Sequence, residues 1–139
     1  MVNVSYRLSV RSSRKQLWDV LADKIENPSK YIEGVTETRF ERLESGRRLR
    51  VMLRNGLEVK EIIFKDESKG ITRFELKDHP KFNGTIESSI EEKNGDLRLI
   101  YSLSWEAHTG EENRGEIEAW FSDAVFDTKA AAETEAENA

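Results

Sequence analysis

The sequence feature that most constrains the fold is a pair of Asn-Gly dipeptides, Asn55-Gly56 and Asn94-Gly95, each flanked by strand-like segments. An Asn-Gly pair favours a two-residue type I′ turn, in which both residues have positive φ, and such turns join neighbouring antiparallel strands. Further turn-forming residues lie at Ser45-Gly46, at Ser68-Lys69-Gly70 and between His79 and Asn83. The breaks predict a meander of six strands, over residues 35–44, 47–54, 57–66, 71–78, 84–93 and 96–106.

The N-terminal segment predicts one further strand and two helices. Residues 2–11 alternate between apolar and polar side chains, which is typical of a half-buried strand. Ser13 and Gln16 form a capping-box pattern at the start of a helix, and Asn27-Pro28 ends it, because the residue before proline avoids the helical region. The same Asn-Pro pair starts a second short helix that ends at Gly34. The apolar face of the first helix contains Leu17, Val20, Leu21 and Ile25.

A long helix is predicted after the meander, over about residues 114–132, because its apolar residues form one stripe. That stripe contains Ile117, Trp120, Phe121, Ala124, Val125 and Thr128. Residues 133–139 are rich in alanine and glutamate, and we expect an acidic flexible tail there. The domain is therefore expected to span residues 1–132.

The order of these elements predicts an α+β fold with a seven-stranded curved antiparallel sheet. A helix of about 20 residues is ~30 Å long and ~10 Å wide, too narrow to cover a flat sheet of seven strands. The sheet must therefore curve around the C-terminal helix. Such a sheet can leave a cavity beside the helix, and protein interiors do not keep large voids without a function. We interpret the cavity as a binding site for a small apolar molecule.

Composition excludes several other classes of function. The 139-residue chain has a net charge of −5, which argues against nucleic acid as a partner because phosphates require a basic surface. It has no cysteine, so disulfides and thiolate metal sites are excluded. We expect no metal and no cofactor, since the only histidines are His79 and His108 and no phosphate-binding or dinucleotide motif is present. No segment is typical of a signal peptide or a membrane span, and we expect a cytoplasmic monomer or homodimer.

The element order over residues 2–130 resembles the START-like superfamily, also called SRPBCC, whose helix-grip fold is shared with birch-pollen-allergen-like proteins. The segment from His79-Pro80 through Gly84 and Ile86 is similar to the pattern H-P-x-x-x-G-x-I-x-N-x-I of the AtaL-like subfamily. Ser88 stands where that pattern has asparagine. The resemblance implies an apolar or amphipathic ligand in the cavity, in some members with cyclisation or hydrolysis.

Alternation along the strands, together with the helix stripe, predicts which side chains line this cavity. The candidate ligand-binding residues are Tyr6, Phe74, Ile86, Ser88, Tyr101, Leu103, Trp105, Trp120, Phe121 and Ala124. For most of them a filled core is the alternative interpretation. The hydroxyl groups of Tyr6, Tyr101 and Ser88 are the most informative, because a buried polar group needs a partner.

Two charged features have a functional and a structural interpretation. Glu61 faces inward if Val59 and Ile63 do, and a carboxyl group in an apolar pocket can act as a general acid or base, together with Tyr101. The alternative is a surface glutamate paired with an arginine. The pattern also changes face near 61–62, which suggests a β-bulge. Six arginines crowd one hairpin and form either an anion site or, as we favour, a solvated outer face, namely Arg39, Arg42, Arg47, Arg48, Arg50 and Arg54.

Three functions are therefore compatible with the sequence. The first is a carrier or sensor for a small hydrophobic metabolite. The second is a cyclase- or hydrolase-like enzyme that acts on a polyketide or small aromatic substrate, with Glu61 and Tyr101 as the catalytic residues. The third is a co-chaperone-like interaction domain, for which Phe126, outside the helix stripe, marks a surface.

Overall fold

The computed structural model describes residues 2–80, 82–107 and 114–138, with only the backbone described for residues 2, 114–121 and 123. The strands are β1 (Val2–Ser9), β2 (Val35–Arg42), β3 (Arg48–Arg54), β4 (Leu57–Asp66), β5 (Ile71–Leu76), β6 (Phe82–Lys93) and β7 (Asp96–Ala107). The helices are α1 (Arg14–Glu26), a 3₁₀ turn (Pro28–Lys30) and α2 (Arg114–Glu137). The predicted α+β helix-grip architecture is confirmed.

All seven strands form one curved antiparallel sheet in the order β1-β7-β6-β5-β4-β3-β2. Both Asn-Gly turns have the predicted geometry, with φ of 50° and 80° at Asn55 and Gly56 and of 53° and 79° at Asn94 and Gly95. These turns fix the register of the hairpins they close. Arg50 lies directly opposite Glu61, and Gly84 directly opposite Trp105.

The principal core lies between α1, α2 and the β1–β7 end of the sheet. The predicted capping box is present at the start of α1, where the Ser13 hydroxyl accepts a hydrogen bond from the Gln16 N–H group and the Gln16 side chain accepts one from Ser13 N–H. Leu17 and Leu99 are fully buried, as is Val125 of α2. Burial of these side chains fixes α1 and α2 against one end of the sheet.

Two local features differ from the sequence predictions. The segment predicted as an acidic tail continues α2 to Glu137, because Ala132 is fully buried and Glu133 accepts a hydrogen bond from the Arg11 N–H group at 2.8 Å. The bulge suggested near 61–62 is absent from β4, whose pairing with β3 and β5 is continuous. The register shift lies instead between Val35 and Glu37, and the apparent change of face arises from Phe64, which is 42% exposed on the outer side of the sheet.

Candidate functional site

A pocket of about 770 Å³ lies between the concave face of the sheet and α2, and we call it the sheet–helix pocket. α1, the segment after the 3₁₀ turn, strands β3 to β7 and α2 all contribute to its wall. Most of the described lining side chains are apolar or aromatic. These are Tyr31, Ile32, Met52, Leu57, Val59, Phe74, Leu76, Phe82, Ile86, Tyr101, Trp105 and Ala124.

One part of the wall is polar and is built around Lys24, on the last turn of α1. The Lys24 ammonium donates to the Tyr101 hydroxyl at 2.8 Å and to the Thr128 hydroxyl at 2.6 Å. It also lies 5.1 Å from the centre of the Tyr101 ring. Thr128 donates its own proton to the carbonyl of Ala124 at 2.9 Å, so its oxygen is free to accept from the lysine. Lys24 therefore joins α1, β7 and α2 at one point of the pocket.

A second polar element is the ion pair between Arg50 and Glu61, which face each other across β3 and β4. Their closest N–O distance is 2.8 Å, and the residues are only 2% and 7% exposed. The Arg50 guanidinium also donates to the carbonyls of Lys24 and Ile25 at 2.9 and 3.0 Å and lies 4.8 Å from the centre of the Phe74 ring. Its Nε has no partner among the described residues. Glu61 is thus the counter-ion of a buried arginine.

Asp23 organises the wall next to Lys24. Its carboxylate accepts hydrogen bonds from Lys30 at 2.6 Å and from the Tyr31 hydroxyl and the Asn27 amide, each at 2.7 Å. The bond from Lys30 contributes most to lowering the pKa of Asp23, and the bond from Tyr31 adds to it. Burial, followed by the bond to Asp23, raises the pKa of the Tyr31 hydroxyl. The network fixes the position of Tyr31, which lines the pocket.

We expect Asp23→Asn to destabilise the fold by about 1 kcal/mol at pH 7, less than the ~1.5–3 kcal/mol usual for a hydrogen bond to a charged group, because Asp23 and Lys30 are partly exposed and water screens their charges. Because the folded-state pKa lies below the ordinary value of about 4, this contribution is complete above pH ~4 and disappears as the pH falls through the lowered pKa. Urea denaturation at pH 7 and at about pH 2–3 measures both differences. Asp19→Asn, on the exposed side of the same helix, is the control. A difference that did not change with pH would contradict this assignment.

The His79 ring packs against Phe82, which in turn packs against Trp105, and all three residues line the pocket. Nδ1 of His79 accepts a hydrogen bond from Phe82 N–H at 3.2 Å, and ring-centre distances of 5.4 Å join His79 to Phe82 and Phe82 to Trp105. Gly84 lies beneath the indole, and a methyl group on Gly84 would collide with that ring. The histidine and the glycine of this motif therefore both position aromatic side chains of the pocket.

The structure brings some of the predicted site residues together and places others elsewhere. Glu61, Phe74, Ile86, Tyr101, Trp105 and Ala124 line the pocket. Tyr6 and Leu103 instead pack in or against the principal core. Ser88 is 1% exposed, and its hydroxyl shares a hydrogen bond with the Thr72 hydroxyl across β5 and β6. The side chains of Trp120 and Phe121, and His108, lie outside the described residues.

The interpretation of the arginine-rich hairpin as a solvated outer face is wrong for Arg50. The predicted alternation of side chains along β3 is correct, but the face that Arg50 shares with Met52 is the concave face of the sheet. Arg54 also reaches the pocket wall and donates to the Glu33 carbonyl at 3.2 Å, whereas Arg48 forms a bidentate pair with Glu26. Leu49 and Val51, on the opposite face, are buried as well, so β3 is covered on both sides.

The sequence analysis missed Lys24 and the pairing of Arg50, although the sequence contains a signal for each. Lys24 is four residues after Val20 and three after Leu21, so it falls within the apolar stripe of α1, where a lysine is unexpected. Arg50 and Glu61 are equally distant from the Asn55-Gly56 turn, and a two-residue hairpin places such residues opposite each other. The first signal lies within one helix, whereas the second requires the two strands of a hairpin to be compared.

No group of three or more histidine, aspartate or glutamate side chains with the geometry of a metal site occurs among the residues that the structure describes. Within the same residues, no helix is both long and apolar enough to cross a membrane.

Comparison with solved structures places the fold among known helix-grip proteins. The chain is similar to Ara h 8.0201, with a TM-score of 0.72, 12% identity and coverage of 99% of both chains. It is also similar to the ZhuI aromatase/cyclase from Streptomyces sp. R1128, with a TM-score of 0.72 and 14% identity over 98% of this chain and 93% of the other. A START superfamily protein from Mycobacterium smegmatis has a TM-score of 0.66 and 13% identity over 98% and 97%. These identities support a shared fold alone.

Sequence comparison gives the more specific result. Curated proteins gave no significant match. The family described as acetylaranotin biosynthesis cluster protein L, or AtaL, matches residues 2–136, which is nearly the whole chain. This match agrees with the helix-grip fold and with the His79–Ile86 pattern, and the chain belongs to the AtaL family.

Proposed function

We propose that the chain binds a small hydrophobic or amphipathic molecule in the sheet–helix pocket and serves as its carrier or sensor. The observation that carries this proposal is the pocket itself, whose volume of about 770 Å³ lies in the usual range for small-molecule sites. Its wall combines a mostly apolar surface with a few polar groups, which is the composition typical of such sites. The apolar part supplies affinity through burial, and the polar part sets orientation.

The comparisons support the same class of ligand. One fold relative is a START superfamily protein and another is an aromatase/cyclase, and the family is described by a biosynthesis cluster. A ligand from secondary metabolism, with an aromatic or polyketide-like body, fits these relationships and the aromatic side chains Phe74, Phe82 and Trp105 on the wall.

Blocking the pocket should weaken binding of a neutral apolar probe. We expect Ala124→Trp to weaken binding of N-phenyl-1-naphthylamine about tenfold or more, because the indole would occupy space beside α2 that the probe needs. Ala130→Trp introduces the same side chain at an exposed position of the same helix and should leave the affinity unchanged. Fluorescence titration measures both. Equal affinities in the two variants would contradict the proposed function.

An enzyme of the cyclase or hydrolase type is the second candidate, and the Lys24–Tyr101 contact favours it. A tyrosine hydroxyl held at 2.8 Å from an ammonium group can donate a proton to a carbonyl oxygen that enters the pocket. Tyr101 is therefore the better candidate of the two proposed catalytic residues, because the carboxylate of Glu61 forms an ion pair with Arg50. Native mass spectrometry of protein purified from its own host identifies the molecule that co-purifies. When that molecule is incubated with the protein, a carrier leaves it unchanged, whereas an enzyme converts it.

The third candidate, a co-chaperone-like interaction domain, receives no comparable support. Among the described residues, the exposed large hydrophobic side chains are Leu57, Phe64 and Phe126. They lie at opposite ends of β4 and on α2, and Leu57 belongs to the pocket wall.

A further inference from the structure

We infer that the ligand of the sheet–helix pocket carries an anionic oxygen, such as a carboxylate or an ionised phenol or enol, and that Lys24 binds it. This inference rests on the proposed function and names the class of ligand. It depends on the position of Lys24, on its hydrogen-bond partners and on the distribution of charge around the pocket.

The Lys24 ammonium has a hydrogen-bond donor available for a ligand. An ammonium group has three N–H donors, and the Tyr101 and Thr128 hydroxyls accept one each. These two contacts come from β7 and α2 and hold the half-buried side chain in the pocket wall. The third donor is left for a group inside the pocket.

The charge of Lys24 is not balanced by an ion pair within the part of the chain that the structure describes. The two hydroxyls that accept from it are neutral. Glu61, the buried carboxylate of the wall, is paired with Arg50 at 2.8 Å. The two other lining carboxylates, Glu33 and Asp127, lie exposed, where water screens their charge. A cation in this position gains most from a ligand that supplies the opposite charge.

An acidic ligand satisfies both parts of the wall. Its anionic oxygen would accept a charge-assisted hydrogen bond from Lys24, roughly twice as strong as one between neutral groups. Its apolar body would lie against Phe74, Ile86 and Trp105, which line the pocket together with Lys24. A neutral ligand of the same shape would leave the partly desolvated ammonium without a counter-ion, which costs free energy.

Two probes with the same aromatic body test this inference. 1-Anilinonaphthalene-8-sulfonate carries an anionic sulfonate, and N-phenyl-1-naphthylamine lacks it. We expect Lys24→Met to weaken binding of the sulfonate probe about tenfold or more, the usual effect of losing a hydrogen bond to a charged group. Binding of the neutral probe should change less than about twofold, since a methionine keeps the apolar volume. Fluorescence titration gives both dissociation constants for each protein.

Matched variants separate the charge from the fold. Lys15→Met removes an exposed lysine from the same helix and should leave both affinities unchanged. Lys24→Arg keeps the positive charge and should retain preference for the sulfonate probe, which provides a second test if the methionine variant folds poorly. Equal weakening of both probes by Lys24→Met, or an unchanged affinity for the sulfonate probe, would overturn the inference while the proposed function stands. Failure of the unmodified protein to bind either probe would overturn both.

Discussion

Replacing Glu61 with glutamine should lower the free energy of unfolding by about 3–5 kcal/mol, the usual result of removing one partner of a buried ion pair. The reason is that Arg50 would remain in the interior, 2% exposed, with no carboxylate to balance its charge. Urea denaturation at neutral pH measures the loss. Glu58→Gln, at an exposed position of the same strand, removes a carboxylate paired with Lys60 only at 3.5 Å and should cost less than ~0.5 kcal/mol.

The expected loss is large because Arg50 is bound to two elements at once. Its guanidinium donates to the Lys24 and Ile25 carbonyls near the C-terminal end of α1, where helical carbonyls lack partners within the helix. Glu61 keeps that guanidinium in place from β4. The pair therefore fixes the end of α1 that carries Lys24, and it links the stability of the fold to the polar wall of the pocket.

A double-mutant cycle shows whether the cost comes from the unpaired charge. Removing the guanidinium as well, in Arg50→Met/Glu61→Gln, should cost less than the sum of the two single substitutions by at least about 1 kcal/mol, because no buried charge remains unpaired. Strict additivity would indicate that the two side chains contribute independently. A loss below about 1 kcal/mol for Glu61→Gln alone would show that water or a rearranged side chain compensates for the missing carboxylate.

The strands and turns could be predicted from the sequence because their signals are local. The positive φ angles at Asn55 and Asn94 and the capping box at Ser13 each depend on a few neighbouring residues, and the structure confirms all three. The curvature of the sheet also followed from the element order, since a single helix cannot cover seven strands.

The polar part of the pocket could not be predicted in the same way, because it is assembled from elements far apart in sequence. Lys24 donates hydrogen bonds to Tyr101 and Thr128, which follow it in the sequence by 77 and 104 residues. The predicted alternation of β3 is correct, but the alternation does not show which face of the strand is turned to the pocket. Leu49 and Val51 are buried on one face, and Arg50 and Met52 are buried on the other. Only the complete sheet shows which face is concave.

Gly84→Ala should destabilise the protein by about 1–3 kcal/mol, although alanine is normally the better residue in a strand. The added methyl group would meet the Trp105 ring, which lies over Gly84 in the cross-strand pair. To avoid that collision the indole must move relative to Phe82 and to the pocket that it lines. We therefore also expect weaker binding of N-phenyl-1-naphthylamine. Thermal and urea denaturation measure the stability, and fluorescence titration measures the affinity.

The destabilising effect of Gly84→Ala should disappear or reverse when the indole is absent. In a Trp105→Ala background, Gly84→Ala has no ring to meet, and the ordinary preference for alanine should make the substitution neutral or stabilising by roughly 0.5–1 kcal/mol. The comparison separates a collision with Trp105 from a requirement for glycine in the backbone, because Gly84 is not among the described residues with positive φ. If Gly84→Ala destabilised both backgrounds equally, the backbone of the strand would require glycine at this position. The collision with Trp105 would then not explain the effect.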